Sequence, residues 1–209
     1  MKAQHILMAD VIDSRKYKGK IVANSLAKIA LHINTNFKKE IVSPVTVTLG
    51  DEFQAVIKSP KAIIKIILAI EEFIIQNGFS FKLRYAANTG KIETAINNNI
   101  AYGMLGQGLT DTRATLNNAK KEDERFFIFA GKQADFINKL FIVFTSFIDS
   151  WKQKDFKTIA LFLQENDYKK VAIANNYTAS AMWKKRKSLN IKEYNTVKNL
   201  IQDYATNNL

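Results

Sequence analysis

Apolar and polar positions along this chain follow two periods, and the order in which those periods change lays out the elements. Gln4 to Ala9 is a short apolar run that ends in Asp10, followed by the polar Asp13-Ser14-Arg15-Lys16, which predicts a buried strand and its exit loop. From about Lys18 to Phe37 the apolar residues Ile21, Val22, Leu26, Ile29, Ala30 and Ile33 recur at helical spacing with lysines between them, so a long amphipathic helix is expected. Pro44 opens the next element. Val45-Thr46-Val47-Thr48-Leu49 is β-branched and alternating, Gly50-Asp51 is a turn signal, and Phe53 to Ile57 resumes the extended pattern, which predicts a hairpin. Ser59-Pro60 reads as an N-cap followed by proline at the first helical position, and Asn77-Gly78 closes the helical run that ends near Ile75. Phe79 to Asn88 predicts another strand; Thr89-Gly90 interrupts it, and Lys91 to Ile96 is expected to continue as a bent hairpin arm. After the glycine-rich stretch from Tyr102 to Gly108, a helix is expected from about Leu109 to Lys120, and Arg125 to Ala130 supplies a last strand.

Strand, helix, hairpin, helix, strand, loop, helix and strand in that order suit an α+β unit whose sheet is covered on one face by helices. From Lys132 onward the pattern is helical throughout, with a change of character near Ser150-Trp151. The expected division is therefore an α/β domain over 1–148 and a small all-α domain over 149–209. A chain of 209 residues is long enough for one medium core and such an appendage.

Composition narrows the chemistry. There is no cysteine, which excludes disulfides, thiolate catalysis and Cys-ligated zinc, and only two histidines, so a His-built site is not expected. No run of about twenty residues lacks charge, and the N-terminal apolar run meets Asp10 too soon to be a signal peptide, so the expectation is a cytoplasmic protein with no membrane partner. The formal charge of +12 favours a polyanionic partner. That charge is densest at the end of the chain, where residues 150–209 carry 11 basic and 5 acidic side chains.

Hard oxygen ligands are available where strand ends meet. Asp10 ends the first strand, and the hairpin tip carries Asp51 and Glu52, which pairing of adjacent strands would bring beside it. Carboxylates without histidine suit Mg²⁺ or Mn²⁺ in the company of phosphates. Asp13, Ser14 and Arg15 follow directly, where a hydroxyl and a guanidinium could reach phosphate oxygens. The same residues also suit an ordinary turn at Gly50-Asp51 and a helix start capped by Asp10 or Asp13.

Three segments together carry a resemblance. Met8-Ala-Asp-Val-Ile-Asp-Ser-Arg15, Val47-Thr-Leu-Gly-Asp-Glu-Phe-Gln54 and Leu83-Arg-Tyr-Ala-Ala-Asn-Thr-Gly-Lys-Ile-Glu-Thr94 resemble the SatD family of bacterial proteins over nearly the whole chain, a C-terminal helix-turn-helix included. That family is similar in turn to the class III nucleotidyl cyclases and diguanylate cyclases. The resemblance implies a ferredoxin-like, palm-type antiparallel sheet with covering helices and two-metal chemistry. It implies Asp10 and Asp51 as metal ligands beside Glu52, with Mg²⁺ or Mn²⁺ as cofactor, and Arg84 and Gly90 as the arginine and glycine of the next cyclase strand motif. Class III cyclases carry an asparagine and an arginine on the following helix; here Arg113 fits as the catalytic arginine, while Leu109 stands at the asparagine place, and Thr46 and Thr48 stand where a base-selecting lysine would be sought. Gly103-Met-Leu-Gly-Gln-Gly108 could let backbone amides approach a phosphate, or simply form a flexible loop.

The C-terminal region has the grammar of a helix-turn-helix from Val171 to Lys187. Ala172 permits a close helix crossing, Asn176 tolerates the left-handed turn, Tyr177 can bury its ring, Thr178 can cap the second helix, and Ala181 and Met182 would face the first. Thr178, Ser180, Lys184, Lys185, Arg186 and Lys187 are the expected DNA-binding residues, with Trp183 as core or interface. A protein-interaction bundle with a solvated lysine face fits the same pattern. A closing helix over about Lys192 to Ala205 places Tyr194, Val197, Leu200, Ile201 and Tyr204 at helical spacing, enough to cover this domain or pair with a second copy. Two readings remain open: a DNA-binding regulator, whose dimeric form would suit paired half-sites and whose first domain senses a nucleotide, and an active nucleotidyl cyclase-like enzyme built on the same aspartates.

Overall fold

The computed structural model describes residues 3–122, 124–129 and 132–209. A five-stranded sheet is ordered β2-β3-β1-β4-β5, with β1 (Gln4–Val11) at its centre, flanked by β3 (Glu52–Ile57) and β4 (Leu83–Gly90), and with β2 (Ile41–Val47) and β5 (Phe126–Ile128) at the edges. The helices between them are α1 (Gly19–Asn36), α2 (Pro60–Gln76) and α3 (Gln107–Glu122). The Ser59 hydroxyl accepts from the Ala62 N–H at 3.2 Å, and Pro60 follows it at the first helical position, as the cap signal predicts.

The sheet is mixed, not antiparallel. β1 runs antiparallel to β3 and β4, but β5 runs parallel to β4, because α3 carries the chain back across the sheet between them. Ala130, expected to end β5, lies outside the described residues. Pro44 sits inside β2 and does not open it: β2 is an edge strand, and its register with β3 shifts between Ser43 and Thr46, where a residue without an N–H is tolerated. Lys91 to Ile96 forms no strand; with the residues up to Gly106 it makes an irregular arm.

Helices cover both faces, not one. Leu7, Ala9 and Val11 belong to a core with Leu26 and Ile29 of α1, Ile63 and Ile67 of α2, and Phe141 and Phe144 of α4 (Lys132–Ile148). Ile6, Met8, Val56 and Ala86 face the other way and pack with Leu109 and Leu116 of α3 and with Ile92, Ala101 and Met104 of the irregular arm. Strands buried on both faces lose the apolar-polar alternation that a half-exposed strand shows, which is why β1 reads as an apolar run from Ile6 to Ala9; β3 is likewise buried along its length, with Glu52 and Gln54 among its buried residues. In α1, Ile21 points outward, 55% exposed, unlike its helical companions Leu26 and Ile29.

Four helices complete the chain: α5 (Phe156–Gln164), α6 (Tyr168–Ala174), α7 (Ala179–Ser188) and α8 (Ile191–Asn208). α8 lies against α2 and α4: Tyr194 is fully buried, with its ring 5.4 Å from that of Phe144 and 4.8 Å from that of Trp151. Its hydroxyl donates to Glu72 at 3.0 Å, and Lys198 also pairs with Glu72. One continuous apolar core therefore contains residues from both sides of position 149. Among the described residues, no helix is long and apolar enough to cross a membrane.

Candidate functional site

The register of β1 assembles the site. Asp10 stands opposite Glu52 on β3 and opposite Arg84 on β4. Directly paired residues project to the same face of a sheet, so Glu52, Asp10 and Arg84 form a transverse row on the side covered by α3. All three are at least nine-tenths buried, at 8%, 4% and 7% exposure. Two adjacent carboxylates away from water repel unless cations answer them, and α3 supplies two. The Lys120 ammonium lies 2.9 Å from Asp10 and 3.7 Å from Glu52, and Arg113 donates to Glu52 Oε2. Arg84 reaches Asp10 Oδ1 only at 3.6 Å, too long for a hydrogen bond, and its Nε donates to the Glu124 carbonyl at 3.1 Å. Asp10 Oδ1 is left buried with no hydrogen-bond partner.

Glycines allow α3 to come this close. A Cβ on Gly90, at the end of β4, would lie 2.5 Å from the Gly108 Cα, and one on Gly108 would lie 2.7 Å from the Gly90 carbonyl carbon. Gly106 has φ +154° and a Cβ there would meet the Lys91 carbonyl oxygen at 2.6 Å. The glycine-rich stretch thus serves close packing of strand, arm and helix: the Gly108 amide, a candidate for phosphate contact in the sequence, donates to the Lys91 carbonyl at 2.9 Å.

Over Asp10 and Arg84 of the row opens a cleft of about 390 Å³, lined also by Asp13, Ser14, Arg15 and Asp51, which the sequence singled out, and by Val11, Lys16 and Lys120. The Asp51 carbonyl accepts from the Val11 amide at 2.9 Å, which holds the hairpin tip beside β1. Asp13 is left-handed, φ 54°, and caps nothing; its carboxylate pairs with Lys16 at 2.6 Å. Two expectations change. Asp10, Asp51 and Glu52 do not converge as three ligands on one point: among the described residues no three carboxylates or histidines do, and the Glu52 carboxylate is taken by Arg113 and Lys120 of α3. Arg113, expected as a catalytic arginine over phosphate, is thereby held against Glu52. Lys120 is the residue that sequence reasoning missed. Its signal was its place seven residues after Arg113, two turns along the same face of α3.

A larger hollow, about 420 Å³, lies beside β5 and α4. Lys82, Arg125 and Asp149 in its lining are paired: Arg125, buried, pairs with Glu71 at 2.7 Å and with Asp149, which also takes Lys82 at 2.9 Å, and Tyr85 donates to Glu71 at 2.7 Å. Burial first, then the Glu71 carboxylate, pushes the Tyr85 phenol well above its usual range, against a smaller opposing effect of Arg125. This network ties β4 and β5 to α2 and to the end of α4.

In the C-terminal helices, Val171, Ala172 and Met182 are buried between α6 and α7, Asn176 takes φ 56° in the connecting turn, and Thr178 accepts from the Ala181 amide at 3.2 Å. Ala181 and Tyr177 differ from expectation: both are exposed, and Met182 alone of the expected α7 pair turns towards the first helix. Ser180, Trp183, Lys184 and Lys187 are exposed on α7, whereas Lys185 is pulled back to Asp155 at 3.0 Å.

The class that this arrangement defines is an α+β unit with a carboxylate-and-cation row at the end of its central strands, joined to a packed helical cap. The chain belongs to the SatD family, whose model matches residues 5–204. No curated protein matches it in sequence. Among solved structures it is similar to the monomeric guanylyl cyclase domain of the RhoGC fusion protein from the aquatic fungus Blastocladiella emersonii, with 16% identity over 56% of this chain and 75% of that one and a TM-score of 0.45. It is also similar to a bacterial light-regulated adenylyl cyclase, with 14% identity over 57% of this chain and 71% of that one and a TM-score of 0.44. A third is the guanylate cyclase domain of RhGC from Catenaria anguillulae in complex with GTP, with 17% identity over 54% and 70% and a TM-score of 0.41.

Proposed function

We propose that the cleft over Asp10 binds a nucleoside polyphosphate together with Mg²⁺ or Mn²⁺, and that residues 149–209 act as a helix-turn-helix DNA-binding domain, making the protein a nucleotide-responsive DNA-binding regulator. The observation that carries the first half is the buried row Glu52-Asp10-Arg84, of which Asp10 and Arg84 line an open cleft, with one Asp10 oxygen lacking any hydrogen-bond partner. That donor set fits a hard cation. Mg²⁺ is commonly held by one or two carboxylates plus the phosphates of its nucleotide, not by an all-protein cage, so Asp10, with Asp51 at the rim, would suffice. The ion, when bound, neutralises phosphate charge. Arg84, Arg15 and Lys120 would hold phosphate oxygens from the protein side, and Ser14 would add a hydroxyl donor.

The second half rests on the exposed face of α7. Ser180, Lys184 and Lys187 project from a helix whose N-terminus is fixed by Thr178, and such a face would meet phosphates and base edges, with Arg186 beside it. Lys185, committed to Asp155, contributes least. A two-fold dimer reading paired half-sites is the assembly this reading expects.

The test is to incubate the purified protein with Mg²⁺ or Mn²⁺ and each ribonucleoside triphosphate and to follow binding and product together by chromatography. Binding without product supports the regulator. Product formation that disappears in Asp51→Asn makes the protein a nucleotidyl cyclase-like enzyme instead, and no binding at all rejects the nucleotide site.

A further inference from the structure

The exposed face of α7 has an aromatic feature that phosphate contacts do not use. Trp183, 43% exposed, stands between two hollows. One, of about 330 Å³, has Tyr168 as its second aromatic wall and the small residues Ala179 and Ser180 as the rest of its lining. The other, of about 480 Å³, is lined by Arg186, Lys187 and Lys192 together with Glu193. The Lys187 ammonium lies 4.1 Å from the Trp183 ring centroid, and Arg186 Nε is buried without a hydrogen-bond partner.

These surroundings differ from those of a side chain that reads duplex DNA. Base edges in the major groove are read by hydrogen-bonding groups matched to donors and acceptors, whereas an indole offers one N–H and a large π-face. Its face suits a base that is already out of the stack. An aromatic platform beside a cationic groove is the arrangement by which proteins hold single strands: the ring takes a base, and the cations follow the backbone. We infer that Trp183 is a stacking platform for an unpaired base, held in the slot with Tyr168, while Arg186, Lys187 and Lys192 take the adjoining phosphates, so that the C-terminal region prefers single-stranded over duplex DNA. This rests on the proposal that the C-terminal helices bind DNA, and it names the form of DNA that they take.

The full-length protein is titrated with a fluorescein-labelled single-stranded oligonucleotide and with the matching duplex, by anisotropy at low and moderate salt. The expected result is tighter binding to the single strand, weakened about tenfold or more in Trp183→Ala and largely restored in Trp183→Phe, which keeps a ring. Lys184→Ala, outside both hollows, should weaken single strand and duplex alike. Duplex binding equal to or tighter than single-strand binding, with Trp183→Ala no different from wild type, overturns the inference while leaving DNA binding intact. Binding to neither form overturns both readings.

Discussion

At the scale of single residues, the candidate site is a balance of charge, and Lys120 sets it. An ammonium 2.9 Å from a buried carboxylate competes directly with any cation for that oxygen. Lys120→Met should therefore raise affinity for Mn²⁺ in the absence of nucleotide, by roughly tenfold or about 1.4 kcal/mol, while weakening polyphosphate binding. Isothermal calorimetry with Mn²⁺ alone checks the first effect; unchanged or weaker Mn²⁺ binding would remove Lys120 from the site. The Arg125 network makes a different prediction. Arg125→Met leaves Glu71 buried without its cation, and a buried charge stripped of its partner costs about 3–5 kcal/mol, readable by urea unfolding. Burial first, and then the neighbouring Glu71 and Glu72 carboxylates, hold the Tyr85 and Tyr194 phenols above the ordinary range. A phenol whose folded pKa is raised favours the folded state fully below its unfolded value near 10 and loses that contribution as pH rises past it. Stability should thus fall above about pH 10, less steeply in Tyr85→Phe. An alkaline melting profile that is identical in the variant would contradict this.

At the scale of elements, the contact between Gly90 and Gly108 positions α3. Gly108→Ala would push α3 off the sheet, and overpacking of this kind costs about 1–3 kcal/mol; because α3 carries Arg113 and Lys120, the variant should lose nucleotide binding along with several degrees of melting temperature. A stable Gly108→Ala protein that binds as wild type does would show that the crossing does not place the site. The glycine pattern was visible in the sequence, but its purpose was not, since a glycine needed for φ or for phosphate looks the same as one needed for close approach. Element order, the Ser59-Pro60 cap, the Asn176 turn and the Thr178 cap were legible because they depend on neighbours within a few residues. The parallel pairing of β5, the opposite-face packing of α3 and the pull of Asp155 on Lys185 were not, because each depends on residues tens of positions away. Asp10 was read correctly as lying near the hairpin tip, yet whether Asp51 or Glu52 would share its face turned on a register one residue wide.

At the scale of the whole molecule, the C-terminal helices are packed onto the sheet unit and not hung from it. Phe144, Ile148 and Trp151 are buried in the same core as Tyr194 and Ile201 of α8, and each large side chain buried in this way contributes about 1.5–3 kcal/mol. A fragment ending at residue 148 should therefore be far less soluble and stable than the full chain, as size-exclusion chromatography and thermal melting would show; a monomeric, cooperatively melting fragment would contradict it. Tyr194 and Lys198 meet at Glu72 on α2, so the proposed nucleotide over β1 and the proposed DNA on α7 would act on one connected body. The central claim is that Asp10 and its row hold a metal-nucleotide complex. Calorimetric titration of nucleoside triphosphate with Mn²⁺ into wild type and Asp10→Asn tests it most directly, with circular dichroism to confirm that both are folded. The account predicts metal-dependent binding in wild type and its loss in the folded variant; equal affinity in the two proteins would contradict it.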